Sequence, residues 1–195
     1  MIFEKKKVRQ EVRGRLQKIS TIERQQLSAS ACALLEKQIV WQQSKTVLFY
    51  APLPSELDVW PLLAAALASG KLVALPKFDE TANHYSACAI KNIETGFSLG
   101  QFGVREPNPG CTKIPLNQVD LALVPGVGFD LLGRRIGRGR GFYDRLLAQI
   151  SGTKCGVGFD EQIVEAIPTE PHDVPLNCIL TPTRWHAVNA DARFE

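Results

Sequence analysis

The chain has 195 residues, of which 45% are hydrophobic and 22% charged, and its formal net charge is +3. These values exclude a disordered, collagen-like or disulfide-stapled chain, and they allow a real hydrophobic core within one domain covering residues 1–195. So small a positive surplus gives little support to general nucleic-acid binding, and no apolar run reaches the length that crosses a bilayer.

Residues 3–18 read as a basic helix, with Val8, Val12, Leu16 and Ile19 at helical spacing. Ser20-Thr-Ile-Glu23 has the form of a capping box and predicts a second helix over 21–42. The period then shortens. Residues 46–50 (Thr-Val-Leu-Phe-Tyr) predict a buried strand stopped by Pro52 and Pro54, and 59–69 predict a helix ended by Gly70. Further strands are predicted over 71–75, stopped by Pro76, and over 85–90 and 121–124, with 92–116 a long surface loop rich in Gly, Pro and Asn. A helix over 142–150 and strands over 155–159 and 178–181 complete the set. Strands alternating with helices imply an α/β fold, three layers with a mostly parallel, Rossmann-like sheet covered on both faces.

The five cysteines, Cys32, Cys88, Cys111, Cys155 and Cys178, form no Cys-X-X-Cys pair. Odd number and scattered spacing predict reduced thiols in a cytosolic protein and lack the pairing of a zinc site. The charged first turn has no apolar signal core, which fits a cytoplasmic protein.

Ligands of open parallel sheets bind beyond the carboxyl ends of the strands. Polar segments fall there at 51–58, 125–144 and 171–173. The middle one carries the most information: Val124-Pro-Gly-Val-Gly-Phe-Asp130 leads to Gly133-Arg-Arg-Ile-Gly-Arg-Gly-Arg-Gly-Phe-Tyr-Asp144. Gly137, Gly139 and Gly141 let the backbone approach a ligand, and the N–H groups of such a loop favour an anion. Arg135, Arg138 and Arg140 add forked donors that match phosphate oxygens, and Asp144 is placed to hold Mg²⁺ between phosphates. The same composition describes a flexible RNA-binding segment, but a short stretch between a buried strand and a helix fits an ordered phosphate loop better. It is neither a Walker A loop nor a dinucleotide fingerprint. The basic residues at the N-terminus and in this loop are either two solvated surfaces or two arms on one polyanion. Glu56 reads equally as a first-turn carboxylate or as an acceptor for substrate N–H groups, and Asp58 serves equally as the cap. His172-Asp173 reads as a turn or as metal ligands.

The segment from Val124 to Asp144 resembles the signature of the 5-formyltetrahydrofolate cyclo-ligase (methenyltetrahydrofolate synthetase) family. Other matches follow in order: the basic start from Lys5 to Arg9, Glu56-Leu-Asp58, Leu75-Pro76, Gly103-Val-Arg-Glu-Pro107, Phe159 to Gln162, Pro168, His172-Asp173 and Ile179-Leu-Thr181. The resemblance covers nearly the whole chain. It implies ATP contacts at Lys5, Arg9, Arg135, Gly137, Arg138, Gly139, Arg140, Gly141 and Tyr143, with Arg138 and Arg140 as the catalytic pair. It implies folate contacts at Ala51, Glu56, Arg138 and Phe142, and Mg²⁺ carboxylates at Asp144 and Asp173. The implied enzyme is a cytoplasmic monomer that uses ATP and Mg²⁺ on 5-formyltetrahydrofolate and partners neither nucleic acid nor membrane. Two departures stand out: Arg140 occupies a position where Gly or Lys is common, and Phe142 replaces the first of two tyrosines without removing the ring. Two other readings share parts of the pattern. A phosphosugar isomerase or CoA transferase can use Glu56 as base or nucleophile but leaves the doubled basic clusters without purpose. An RNA-binding module would show strongly salt-dependent affinity.

Overall fold

Short apolar runs seed the strands of the main sheet, and the computed structural model describes residues 2–100, 103–139 and 141–188 of the chain. Helices α1 (Ile2–Leu16), α2 (Thr21–Glu36) and α3 (Ile39–Gln43) precede β1 (Thr46–Leu48) and α4 (Trp60–Ala68). Then come β2 (Leu72–Asp79), β3 (His84–Ile90), the hairpin of β4 (Phe97–Leu99) and β5 (Arg105–Pro107), and β6 (Lys113–Ile114). The rest comprises β7 (Leu121–Pro125), the small hairpin of β8 (Gly128–Phe129) and β9 (Arg135–Ile136), α5 (Phe142–Leu147), β10 (Thr153–Val157), β11 (Cys178–Leu180) and β12 (Trp185–Ala187). The main sheet runs β12-β11-β10-β7-β1-β2-β3-β6. From β11 to β2 neighbours are parallel, while β12, β3 and β6 add antiparallel edges.

Alternation along the strands separates two cores. Val47, Val73, Leu75, Leu121, Leu123 and Val157 face Val12, Leu35, Leu62 and Leu63 of the N-terminal helices. Leu48, Ala74, Ala122, Val124 and Ile179 face Leu146 and Leu147 of α5. The expected three-layer α/β/α architecture with a mostly parallel sheet is what forms.

Several boundaries differ from the sequence expectation. The helix predicted over 21–42 breaks at Gln38, whose backbone is extended and whose side-chain amide donates to the Leu34 carbonyl. Ser20 does cap α2, its Oγ accepting from the Glu23 N–H at 3.2 Å. Pro76 does not stop β2. It pairs with Ala87 across the antiparallel β2–β3 ladder, at a position where its nitrogen points away from β3, so no rung of that ladder needs its missing N–H. What Pro76 stops is β1. The Phe49 N–H donates to the Ala74 carbonyl at 2.8 Å, and the next rung of a parallel ladder would need an N–H at position 76. The strands part there. The segment 92–116 is no plain loop: it holds β4, β5 and β6, and the hairpin packs through Phe97 against Trp60, ring centroids 5.1 Å apart. Pairing of β3 with β6 also brings Cys111 beside Cys88, Cα atoms 5.7 Å apart, and the two form a disulfide. The expectation of reduced thiols therefore holds only for Cys32, Cys155 and Cys178.

Candidate functional site

The parting of β1 from β2 opens a cleft of about 620 Å³ at the carboxyl ends of the parallel strands, a size usual for small-molecule sites. Tyr50 and Ala51 enter it from the end of β1, Pro76 from β2, and Pro125, Gly126 and Val127 from the end of β7. Every expected site residue that the structure describes lines this one cleft, from Lys5 and Arg9 on α1 to Asp173 near the end of the chain. Arg140 lies outside the described residues.

The glycine–arginine segment is built on buried polar anchors. Asp130 is fully buried, and its carboxylate accepts from the N–H groups of Leu132, Arg134 and Ile167 at 2.9–3.1 Å. Gln162 accepts from the Phe159 N–H and donates to the carbonyls of Gly126 and Val127. These bonds hold the β8–β9 hairpin that delivers the loop. Gly139 and Gly141 take positive φ of 99° and 63°, which favours glycine.

Each described cation of this wall has an oxygen partner. The Lys5 ammonium contacts Asp173 at 2.9 Å and Glu170 at 3.1 Å. Burial alone would lower the Lys5 pKa, but those two carboxylates outweigh it and raise it. The same pairing, with the Glu170 N–H, overcomes burial at Asp173 and holds its carboxyl below the usual range. Arg9 donates from Nε to the Gly137 carbonyl at 2.9 Å, so α1 and the loop are joined directly. Arg135 is 5% exposed in its side chain and pairs with Asp144 at 2.9 Å. Its Nε is buried with no acceptor among the described residues. Arg138, largely exposed, reaches Glu56 Oε1 at 3.0 Å, while Glu56 Oε2 accepts from the Leu53 N–H at 3.0 Å. The capping question resolves itself: Asp58, not Glu56, accepts from the first-turn Trp60 N–H of α4.

Tyr85, Phe142 and Tyr143 add aromatic surface to the same cleft, and Phe78 packs on the first two of these rings. The Phe78 ring is 5.3 Å from Tyr85 and 5.0 Å from Phe142, and Tyr85 is 6.0 Å from Tyr143. Burial, and next Glu56, push the Tyr143 hydroxyl far above its ordinary pKa, so it stays a neutral donor. Tyr50 is raised likewise, chiefly by burial, and donates to the Leu57 carbonyl at 2.8 Å.

A triphosphate fits the first wall. Glycines leave the backbone open, cations converge from α1 and the loop, and the orphaned Arg135 Nε points to an anion that is part of the design. A hard divalent cation fits the carboxylates. Glu170, His172 and Asp173 have ligand atoms within 4.8 Å of one another, and Asp144 stands on the same cleft; oxygen donors of this kind suit Mg²⁺. Sequence reasoning missed Glu170, and it matched Glu106 only as part of the Gly103–Pro107 element without giving it a role, because the β4–β5 pairing that carries that segment into the cleft is not local.

The sequence pattern of the 5-formyltetrahydrofolate cyclo-ligase family matches residues 2–182. A 5-formyltetrahydrofolate cyclo-ligase of Haemophilus influenzae is 31% identical over 180 residues, covering 88% of this chain and 96% of the relative. One from Mycolicibacterium smegmatis is 35% identical over 149 residues, covering 72% and 75%. The 5,10-methenyltetrahydrofolate synthetase of Aquifex aeolicus superposes with a TM-score of 0.85 at 32% identity, covering 95% of this chain and 93% of that one. The synthetase of Mycoplasma pneumoniae shares the fold, with a TM-score of 0.73 at 22% identity over 91% and 98% of the two chains.

Proposed function

The chain belongs to the 5-formyltetrahydrofolate cyclo-ligase family, and from that premise we propose that it converts 5-formyltetrahydrofolate to 5,10-methenyltetrahydrofolate with ATP and Mg²⁺. The observation that carries the proposal is the convergence of Lys5, Arg9, the glycine–arginine loop and Asp173, far apart in sequence, on one cleft that also holds Ala51 and Glu56.

In the proposed reaction the N5-formyl oxygen attacks the γ-phosphorus of ATP and ADP departs. The former carbonyl oxygen is then part of a phosphate leaving group. N10 attacks the formyl carbon, the C–O bond breaks, phosphate leaves, N10 gives up its proton, and the ring closes. Such a transfer asks for positioning and charge neutralisation rather than a protein nucleophile. Lys5, Arg9 and Arg135 hold the phosphate chain, with the backbone of Gly137, Gly139 and Gly141 beneath it and Tyr143 beside it. Arg138 and Arg140 stabilise the charge that develops on the transferring group. Glu56 positions the folate, with Ala51 and the Phe142 ring. Glu56 and Arg138 begin as an ion pair, so binding of the two substrates separates or re-aims them, and the exposure of Arg138 makes that movement inexpensive. Asp144 and Asp173 would hold Mg²⁺, whose chemistry there is to neutralise phosphate oxygens. Asp173 already stands beside the Lys5 ammonium, which holds its carboxyl below the usual range and favours the ionised form a metal needs.

The proposal extends to a monomeric enzyme of the cytoplasm acting on a small molecule. Among the described residues no helix is long and apolar enough to cross a membrane. The test is direct: protein, ATP, Mg²⁺ and 5-formyltetrahydrofolate are mixed, and the near-ultraviolet absorbance of the methenyl product is followed. Product formation that needs all four supports the reading, and a flat trace from folded protein overturns it.

A further inference from the structure

One acidic side chain of the cleft makes no ion pair among the described residues. Glu106 on β5 is 9% exposed and lines the cleft, and among the described residues no ion pair includes it. Its carboxylate lies against Gly100, where no Cβ would fit, and it accepts the backbone N–H of Phe78. That N–H exists to be accepted because β1 has already ended. Past Ala74, β2 has lost its parallel neighbour, Pro76 has no donor to offer, and Phe78 is the next residue whose N–H points away from β3. Burial holds the Glu106 carboxyl above the usual range, against the Phe78 N–H and Lys77, which lower it, and with Glu80, which raises it. A carboxylate offers about four acceptor sites, and one backbone donor leaves the others available to a ligand. A buried carboxylate without an ion pair costs the fold stability, so its presence calls for a compensating role.

The surroundings narrow the ligand. A lone carboxylate repels phosphate, so this is not the nucleotide end of the cleft. Phe78, whose N–H it meets, packs its ring on Tyr85 and Phe142, and those two rings line the cleft. A flat heterocycle with two adjacent N–H donors on one edge suits a carboxylate beside aromatic rings, because such an edge makes paired, charge-assisted hydrogen bonds. Resting on the folate reading above, we propose that Glu106 is a specificity-determining residue that accepts the aminopyrimidinone edge of the pterin, its ring N–H and its exocyclic amine. Glu56, tied to Arg138 and so to the phosphate loop, serves the reacting end, while Glu106 serves the far, non-reacting edge.

Such a contact couples one protein atom group to one ligand group, and that coupling is measurable. Dissociation constants without ATP are compared for wild type and Glu106→Gln, each with 5-formyltetrahydrofolate and with its analogue lacking the exocyclic amine. Wild type should lose roughly 10- to 100-fold in affinity for the analogue, and Glu106→Gln should lose a similar factor for the parent folate. In the variant the penalty for the analogue should shrink to within about threefold. In turnover, the KM for folate should rise while kcat and the KM for ATP move far less. Glutamine keeps an acceptor for the Phe78 N–H, so the variant should fold. The binding of the analogue to wild type stands as a second test that needs no variant: a penalty below about threefold there overturns the assignment. So does an equal penalty in the two proteins, or an effect of the variant confined to ATP. A wild type that binds no 5-formyltetrahydrofolate at all sinks the functional reading and this assignment together, whereas a working wild type without the coupling sinks the assignment alone.

Discussion

At the glycine–arginine end of the cleft the described cations arrive already partnered: Lys5 on Asp173 and Glu170, Arg9 on the Gly137 carbonyl, Arg135 on Asp144, Arg138 on Glu56. At the aromatic end Glu106 is buried with one backbone donor and, among the described residues, no ion pair. Paired cations are ordered before any ligand comes. An unpaired buried carboxylate carries its desolvation cost all the time and recovers it only when donors arrive. The first arrangement favours stability with the site empty. The second trades stability for recognition.

Breaking the paired side should cost most. In Arg138→Ala, turnover should fall roughly 10- to 1000-fold if a transition-state phosphate contact is lost, and near-wild-type kcat in the methenyl assay would remove Arg138 from that role. Asp130→Ala should lower stability by about 3 kcal/mol, since three backbone donors lose a buried acceptor; urea unfolding reads this out, and an unchanged midpoint would show that the hairpin holds without it. Glu56→Gln should raise the folate KM about tenfold with a smaller change in kcat, because the charge-assisted acceptor is weakened; an unchanged KM would contradict substrate contact. The smallest effect belongs to the unpaired side and has the opposite sign. Burial raises the Glu106 pKa in the folded state, so the stability attached to its neutral form is present below the ordinary carboxylate range and is lost as pH rises through the raised value. Glu106→Gln should therefore melt roughly 1–3 °C higher than wild type at neutral pH, with the gap closing below about pH 4. A gap that stays constant with pH would assign it to packing.

Much of this was legible beforehand because it is local. Short apolar runs ending in proline or glycine marked the parallel strands, Ser20 and Gly70 marked helix ends, and the glycine–arginine spacing marked the loop that Arg9 contacts. What escaped reading depends on pairing between distant segments. Glycine- and proline-rich residues 92–116 look like loop until β4 meets β5 and β6 meets β3. That fold carries Glu106 into the cleft and Cys111 to Cys88. Pro76 misled for the same reason: whether a proline ends a strand depends on which neighbour needed its N–H. Glu170 carried no local signal, and only the docking of α1 reveals it, through Lys5.

Pro76 also makes the opening permanent. A hollow created by a peptide that cannot donate needs no occupant to prop it apart, and the two chains flanking it cannot zip together when it stands empty. Incoming molecules then meet walls whose backbone is already in place, and they forfeit little of their attraction to reshaping the host.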